Sequence, residues 1–413
     1  MNNTEKRDNG LKGRISTRMS QPRLAVVCDY REENWPSMDL VADMLFNHLE
    51  QDYADHFSAT RICPPMRRRL SRDQSAAGTF VNADRFLNRF WDYPRVVRRQ
   101  KAEFDLFHVV DHSYGQLLHE LPPDRTVITC HDLDTFQCLL EPERHPRSFL
   151  FRKMMSSTMR GFRQAARVTC DSVATRNELL SHKLVEPDRV IVVPNGVHPS
   201  CSPQADPLAD REAERLLGKP DGGFIDILHV GSTIPRKRID VLLRVFAAAR
   251  KQFPAIRLVR VGGPFTAVQV GLARQLDLTQ LIIALPHLER NLLAAVYRRA
   301  ALILLPSERE GFGLPVVEAL ACGTPVVASD LPVLHEVGGK AALYCSTDNI
   351  ASWTEAIGQL LSEKKQPQER SERSDSGITQ ARKFSWSEYA RKMVAVYRDV
   401  LGDHHQNADV SRF

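Results

Sequence analysis

At 413 residues, 43% of them hydrophobic, the chain is long enough for two domains with a core each, and no apolar run approaches the ~18 residues of a membrane span. The net charge of +6 is modest for this size, so the placement of charge matters more than its sum. Eight scattered cysteines (28, 63, 130, 138, 170, 201, 322, 345) form no C-x-x-C pair, which points to reduced, buried thiols of a cytoplasmic protein and not to disulfides or a metal.

The first 22 residues are mildly basic and lack an apolar h-region, so a disordered tail is expected and not a secretory signal. Arg23 to Asp29 reads as a buried strand, followed by an amphipathic helix from about Ser37 to Leu49 and a second strand from Phe57 to Cys63. Arg61 to Lys101 holds eleven Arg or Lys against three acids, with Phe86, Phe90, Trp91 and Tyr93 interleaved. A solvated basic surface, a nucleic-acid face and a patch touching anionic lipid all fit that pattern. Bulky aromatics beside arginine favour the membrane surface over nucleic acid. Short apolar runs at 104–111, 126–130, 168–172 and 190–194 suit central strands. Their alternation with helices predicts a doubly wound parallel sheet, with its ligand crevice at the carboxyl ends of the strands.

After Asn195-Gly196, read as a turn, three prolines between His198 and Pro207 mark an inter-domain linker. A second α/β unit follows, with strands predicted at 224–230, 256–261, 281–285, 302–305 and 324–328 and a helix from about Arg238 to Lys251. Residues 364–377 are expected to be a polar loop. Ala381 to Leu401 reads as an amphipathic helix whose aromatic face, with Trp386, Tyr389 and Tyr397, packs as core.

The candidate chemistry gathers at strand ends. In Glu310-Gly-Phe-Gly-Leu-Pro-Val-Val-Glu318, two glycines precede a short helix opened by Pro315 and closed by Gly323. Backbone N–H groups and the positive end of the helix dipole then face one ligand, an anion site by construction. The flanking carboxylates of Glu310 and Glu318 suit hydroxyl groups, so phosphate in the middle with hydroxyls at both ends describes a nucleotide sugar. An ordinary loop with solvated glutamates fits the same stretch. Gly231-Ser-Thr-Ile-Pro-Arg-Lys-Arg238 ends a strand on the same sheet edge, where Arg236 and Lys237 can reach a diphosphate. Cations are disfavoured at a helix start, so a solvated role suits them less. His131 ends a first-domain strand and would face that site across an inter-domain crevice, or serve as a structural histidine. P-loop, Rossmann dinucleotide, H-E-x-x-H and G-x-S-x-G motifs are absent from the sequence.

Together these residues resemble the retaining GT-B glycosyltransferases that carry an E-x7-E motif, a family of mannosyl-, glucosyl- and galactosyltransferases. The likeness runs from about Arg23 to Leu401. It rests on Glu310 to Ser329, on Val230-Gly-Ser-Thr-Ile-Pro-Arg-Lys237, on Val192-Val-Pro-Asn-Gly-Val197 and on Phe384-Ser-Trp386. The resemblance implies two facing Rossmann-like domains with a C-terminal helix crossing back to the first. The implied organisation is a tail at 1–22, an acceptor-side domain at 23–198, a linker at 199–222, a nucleotide-sugar domain at 223–380, the crossing helix at 381–401 and a tail at 402–413. It implies that Glu310 contacts the transferred sugar, Gly311, Phe312, Gly313 and Leu314 the sugar and diphosphate, Arg236 and Lys237 the diphosphate, Glu318 the ribose, and that His131 lies near the donor sugar. Ser232 stands in the phosphate-binding turn where many relatives have arginine, which shifts the burden onto Arg236. Arg31-Glu-Glu-Asn-Trp-Pro36 stands where family members often carry a glycine-rich loop after the first strand.

The expected activity is metal-independent, cofactor-free transfer of a hexose to a glycan or lipid-linked acceptor, with GDP-mannose favoured as donor by the adjacent Arg-Lys pair. A silent scaffold that binds a nucleotide sugar or a membrane partner, and a sugar-nucleotide epimerase, are the alternatives.

Overall fold

The computed structural model describes residues 21–71, 79–219 and 223–410, with Thr79 and 403–410 described as backbone only. The tail expected at 1–22 therefore lies outside the described residues except for its last two. Six parallel strands form the first sheet: β1 (Arg23–Val27), β2 (Ser58–Ile62), β3 (Leu106–Val109), β4 (Thr126–Cys130), β5 (Arg167–Cys170) and β6 (Val190–Val192). They lie side by side in the order β2, β1, β3, β4, β5, β6. The second sheet is built from β7 (Ile225–Val230), β8 (Ile256–Val261), β9 (Ile282–Leu285), β10 (Leu302–Leu305), β11 (Val326–Ser329) and β12 (Ala342–Cys345). Its order is β12, β11, β10, β7, β8, β9, also parallel. The central strands are buried on both faces, which is why they read as unbroken runs such as Leu-Ile-Leu-Leu in β10. Strand order reverses between β7 and β10, so their carboxyl ends diverge into the crevice where an open α/β sheet binds its ligand.

Three expectations are corrected. The stretch 199–222 is not a plain linker: Pro207–Leu217 is a helix, capped by the Asp206 carboxylate on the amides of Leu208 and Ala209. It buries Ala209, Ala213 and Leu217 in the core shared with the Arg290–Arg299 helix, and Pro207 merely occupies its first turn. The stretch 364–377 is not a loop either, because Pro367–Ala381 forms a helix against Leu314–Ala321, with Gly377 over Leu320 and Ala381 in the core. Its apolar stripe is too thin to show as a helical period. The C-terminal helix spans Trp386–Val410, starting later than 381 and continuing through most of the expected tail at 402–413.

That last helix leaves the second domain and packs on the first. Trp386, Tyr389, Met393 and Tyr397 share one core with Leu24, Val26 and Leu45. The Tyr397 hydroxyl lies 2.8 Å from His108 Nδ1, and Arg167 pairs with Asp399 at 2.8 Å. A second crossing runs beside it, where the Val197 amide donates to the Phe384 carbonyl at 3.1 Å. In the basic segment, Tyr93 and Val97 are buried, whereas Phe80, Phe86 and Trp91 are exposed and Arg95 lies over the Trp91 ring. All eight cysteines are free, and all but Cys63 are buried.

Candidate active site

The site is assembled at the β7/β10 switch point. Leaving β7, the chain turns through Gly231 and Ser232, makes one 3-10 turn at Pro235–Lys237, and enters the helix Ile239–Gln252. Leaving β10, it runs through Ser307 and Glu310 to the helix Leu314–Ala321. Gly313 precedes that helix with φ +97°, a left-handed conformation that costs glycine no Cβ clash, and Pro315 sits in the first turn. Arg236 and Lys237 thus stand on the same edge as Glu310, as their strand-end positions imply, though in a turn of their own ahead of the helix.

What holds two cations at a helix start is visible in their partners. Lys237 Nζ donates to Glu310 Oε1 at 2.6 Å, and Arg236 Nη1 reaches Glu310 Oε2 at 3.3 Å and the Arg309 carbonyl at 3.0 Å. Ser307 Oγ donates to Glu310 Oε1 at 2.6 Å. Burial by itself would raise the Glu310 pKa, but Lys237 and Arg236 outweigh it and hold the carboxyl down at about 2. Glu310 is an anion at any working pH.

The first domain contributes carboxylates that the sequence pattern does not mark. Asp132 Oδ2 lies 3.3 Å from Arg236 Nη2, and Asp134 Oδ2 lies 2.5 Å from Arg236 Nε, close enough for charge attraction but off the line of a hydrogen bond. Asp134 also meets Arg309 at 3.4 Å. Arg236 is therefore the centre of an ion cluster that joins the two domains. An incoming diphosphate can replace some of these carboxylates on Arg236 and Lys237, which frees Glu310 oxygens for hydroxyl donors.

Gly311 is pressed against the first domain. Its carbonyl accepts from Ser172 Oγ at 2.8 Å and Thr175 Oγ1 at 3.2 Å, and a Cβ added there would lie 1.7 Å from the His131 carbonyl oxygen. Nearby, the Glu336 carboxylate accepts from the amides of Val173 and Ala174, so a second-domain side chain caps a first-domain helix. Phe312 is buried edge-on to Phe384 at 5.5 Å. Glu318, one turn along the Leu314–Ala321 helix, is buried and accepts from Tyr297 Oη at 2.9 Å, with Arg290 at 3.8 Å. Burial raises its pKa, opposed by Arg290 and the Tyr297 hydrogen bond. Ser232 is half-buried at the mouth of the turn.

His131 is corrected in one respect. The expectation set its side chain across from the phosphate site, but both ring nitrogens are used inside the first domain: Nδ1 lies 2.7 Å from Asp171 Oδ2 and Nε2 lies 2.8 Å from the Val110 carbonyl. Both partners are acceptors, so both nitrogens carry protons. Burial would lower its pKa, yet Asp171 prevails and raises it to about 10. It is the His131 main chain that meets the loop at Gly311. With the folded pKa above the unfolded value of ~6.5, its stabilising contribution is complete below that pH and lost as pH rises through about 10. Thermal melts between pH 7 and 10 should show Tm falling more steeply in the native protein than in His131→Gln; equal slopes would refute the buried imidazolium.

Residues 210–376 match the family model described as Glycosyl transferases group 1, and residues 52–200 match that of Glycosyltransferase Family 4. The chain is 34% identical over 250 residues to the D-inositol 3-phosphate glycosyltransferase of Mycobacterium leprae, covering 58% of this chain and 56% of that one. It is 31% identical over 256 residues to its counterpart in Acidothermus cellulolyticus, covering 59% and 55%. The match thus spans about half the length of these curated relatives. Among solved structures, sucrose-phosphate synthase from Thermosynechococcus elongatus superimposes with a TM-score of 0.73 at 18% identity, covering 93% of this chain and 100% of that one. Anabaena HepE in complex with UDP and glucose gives 0.69 at 14%, covering 92% and 100%. At such identities the likeness is one of fold.

Proposed function

We propose, from the premise that the chain belongs to the glycosyltransferases of the GT-B fold, that it moves a hexose from a nucleoside diphosphate sugar to a hydroxyl of a glycan or lipid-linked acceptor. The observation that carries this reading is the convergence of Arg236, Lys237, Glu310 and the Gly313-preceded helix start on one switch-point edge. In this reading the diphosphate binds Arg236, Lys237 and the first amides of the Leu314–Ala321 helix, with Ser232 at its edge. Glu310 accepts from the sugar hydroxyls, with Gly311 and Phe312 placing the loop, and Glu318 accepts from the ribose. His131 acts as a positioning residue, its charged ring fixing the carbonyl that abuts Gly311.

The bond from the anomeric carbon to the diphosphate oxygen breaks as the bond to the acceptor oxygen forms. Retention follows if both events occur on one face, with the acceptor proton passing to the departing phosphate oxygen. Lys237 and Arg236 meet the charge that grows on that phosphate, the task a divalent cation performs elsewhere, and this basic pair is what supports a metal-independent reaction. Among the described residues no helix is long and apolar enough to cross a membrane. The exposed aromatics of the basic segment support peripheral contact with anionic lipid, and so a lipid-linked acceptor.

The test is a thermal-shift screen of UDP, GDP and ADP sugars, followed by turnover with the donor that binds. The UDP held by HepE and the adjacent Arg-Lys pair put UDP sugars and GDP-mannose first. Turnover is expected to be unchanged by EDTA, and the protein to float with anionic liposomes. Loss of turnover in EDTA refutes the basic-pair mechanism, and failure to float favours a soluble glycan acceptor.

A further inference from the structure

Arg290 opens the Arg290–Arg299 helix, where the positive end of the dipole disfavours a cation. Its partners supply the reason it stands there. One guanidinium nitrogen, Nη1, lies 3.8 Å from Glu318 Oε1 inside the second domain, and the other, Nη2, donates across the crevice to the Pro36 carbonyl of the first domain at 3.0 Å. The Arg290 carbonyl accepts from Ser200 Oγ at 3.3 Å, in the segment that joins the domains. Pro36 ends the loop that follows β1 and starts the Pro36–Asp52 helix. That loop is firmly seated: Glu33 is buried, lies 3.0 Å from Arg89 Nε and accepts from Tyr114 Oη at 3.0 Å. A pull on Pro36 is therefore felt by the first domain and not by a loose tip. The Tyr297 hydroxyl, the thiols of Cys201 and Cys322 and the Arg290 guanidinium stand around the Glu318 carboxylate, so that among the described residues Arg290 is its one cation. Asp39 and His198 face Arg290 itself.

We infer that Arg290 is a positioning residue that couples the nucleoside end of the donor to the first domain, keeping Glu318 ready for the ribose hydroxyls through one nitrogen and holding the Pro36 carbonyl through the other. The inference rests on the donor reading above, because there it is the ribose that occupies Glu318. A carboxylate accepts at both oxygens, whereas a protonated carboxyl gives up part of that capacity to its own O–H. Tyr297 already donates to Oε2, so Oε1 is left for the ribose, and it is the oxygen that faces Arg290. Burial favours the protonated form and Arg290 opposes it, so loss of Arg290 raises the Glu318 pKa further. Glu318 is ionised only above its pKa, and a variant without the cation therefore starts to lose nucleotide affinity at a higher pH on acidification. The tether acts separately: a nucleotide that fixes Glu318 and Arg290 also fixes the Pro36 end of the first-domain loop.

The test is isothermal titration of the full chain and of its Arg290→Ala and Arg290→Lys variants with UDP, GDP and ADP at about pH 8 and about pH 5.5, joined to amide hydrogen exchange at saturating nucleotide. With whichever nucleotide binds, the loss of affinity in Arg290→Ala relative to the native protein is expected to be about three- to tenfold larger at the lower pH, the range set by removing one opposite charge from beside a buried carboxylate. Arg290→Lys keeps the charge and should restore the native pH profile. Bound nucleotide should slow exchange at 314–321 in all three proteins, but at 30–40 in the native protein and not in Arg290→Ala. A merely structural arginine would weaken binding alike at every pH. A loss in Arg290→Ala that is equal at both pH values, or equal protection of 30–40, therefore overturns the inference while leaving the donor site standing. If no nucleotide binds, the donor reading falls and takes this inference with it.

Discussion

Lys237→Ala is expected to lower kcat by on the order of 10²–10³, the cost of removing one preorganised donor from a site of growing negative charge. The loss should fall on kcat more than on KM, because the Lys237 charge is felt most as the diphosphate departs. Removing one partner of a buried ion pair costs ~3–5 kcal/mol. Here the loss belongs at or below that lower end, since Glu310 keeps Arg236 and Ser307 as partners. Steady-state kinetics with circular dichroism and a thermal melt separate the two effects. A folded variant with native turnover would remove Lys237 from the diphosphate role.

Gly311→Ala tests the domain contact. The added Cβ would lie 1.7 Å from the His131 carbonyl oxygen, and the obstacle is backbone on both sides, so neither can rotate away. The domains have to part at this point, and the Glu310–Gly313 loop moves with them. A misplacement of ~1 Å costs on the order of 10² in rate, so a drop of at least that size is expected in kcat/KM. Each domain keeps its own sheet and core, so the thermal melt should change little. Small-angle scattering should show a more open pair of domains. Native turnover would mean that the reaction does not pass through the contact between Gly311 and His131.

The residues of the site differ in how legible they are. The sequence pattern alone groups Arg236, Lys237 and Glu310, because each follows a strand of the same sheet and parallel strands bring all their carboxyl ends to one edge. It does not group Asp132 and Asp134 with them, although Asp132 follows His131 directly. Their partner Arg236 lies 104 residues from Asp132 in the chain, and nothing local marks a surface carboxylate as one half of an inter-domain ion cluster. The sequence likewise marks His131 but not the direction of its ring, which Asp171 and the Val110 carbonyl decide.

Helices show the same division. The 314–321 helix announces itself through Pro315 and Gly323, whereas the 207–217 and 367–381 helices escape a reading by periodicity. The prolines at 199, 203 and 207 mask the first, although it buries Ala209, Ala213 and Leu217 at helical spacing, and the second buries only Gly377 and Ala381 and leaves the rest to water. The C-terminal helix is legible up to Leu401, where its apolar period stops, but the backbone hydrogen bonds carry it on to Val410.

The sequence by itself determined two parallel α/β domains, the strand-end positions of the glycines and charges, and the chemistry those residue types can perform, because backbone periodicity and turn chemistry act over a few residues. Only the tertiary structure decided which charges meet, which face of His131 is spent, and that Arg290 stands between Glu318 and the Pro36 carbonyl. Those outcomes depend on the approach of two separately folded surfaces, where burial strengthens each ion pair and raises the cost of each missing partner, and no local pattern encodes that distance.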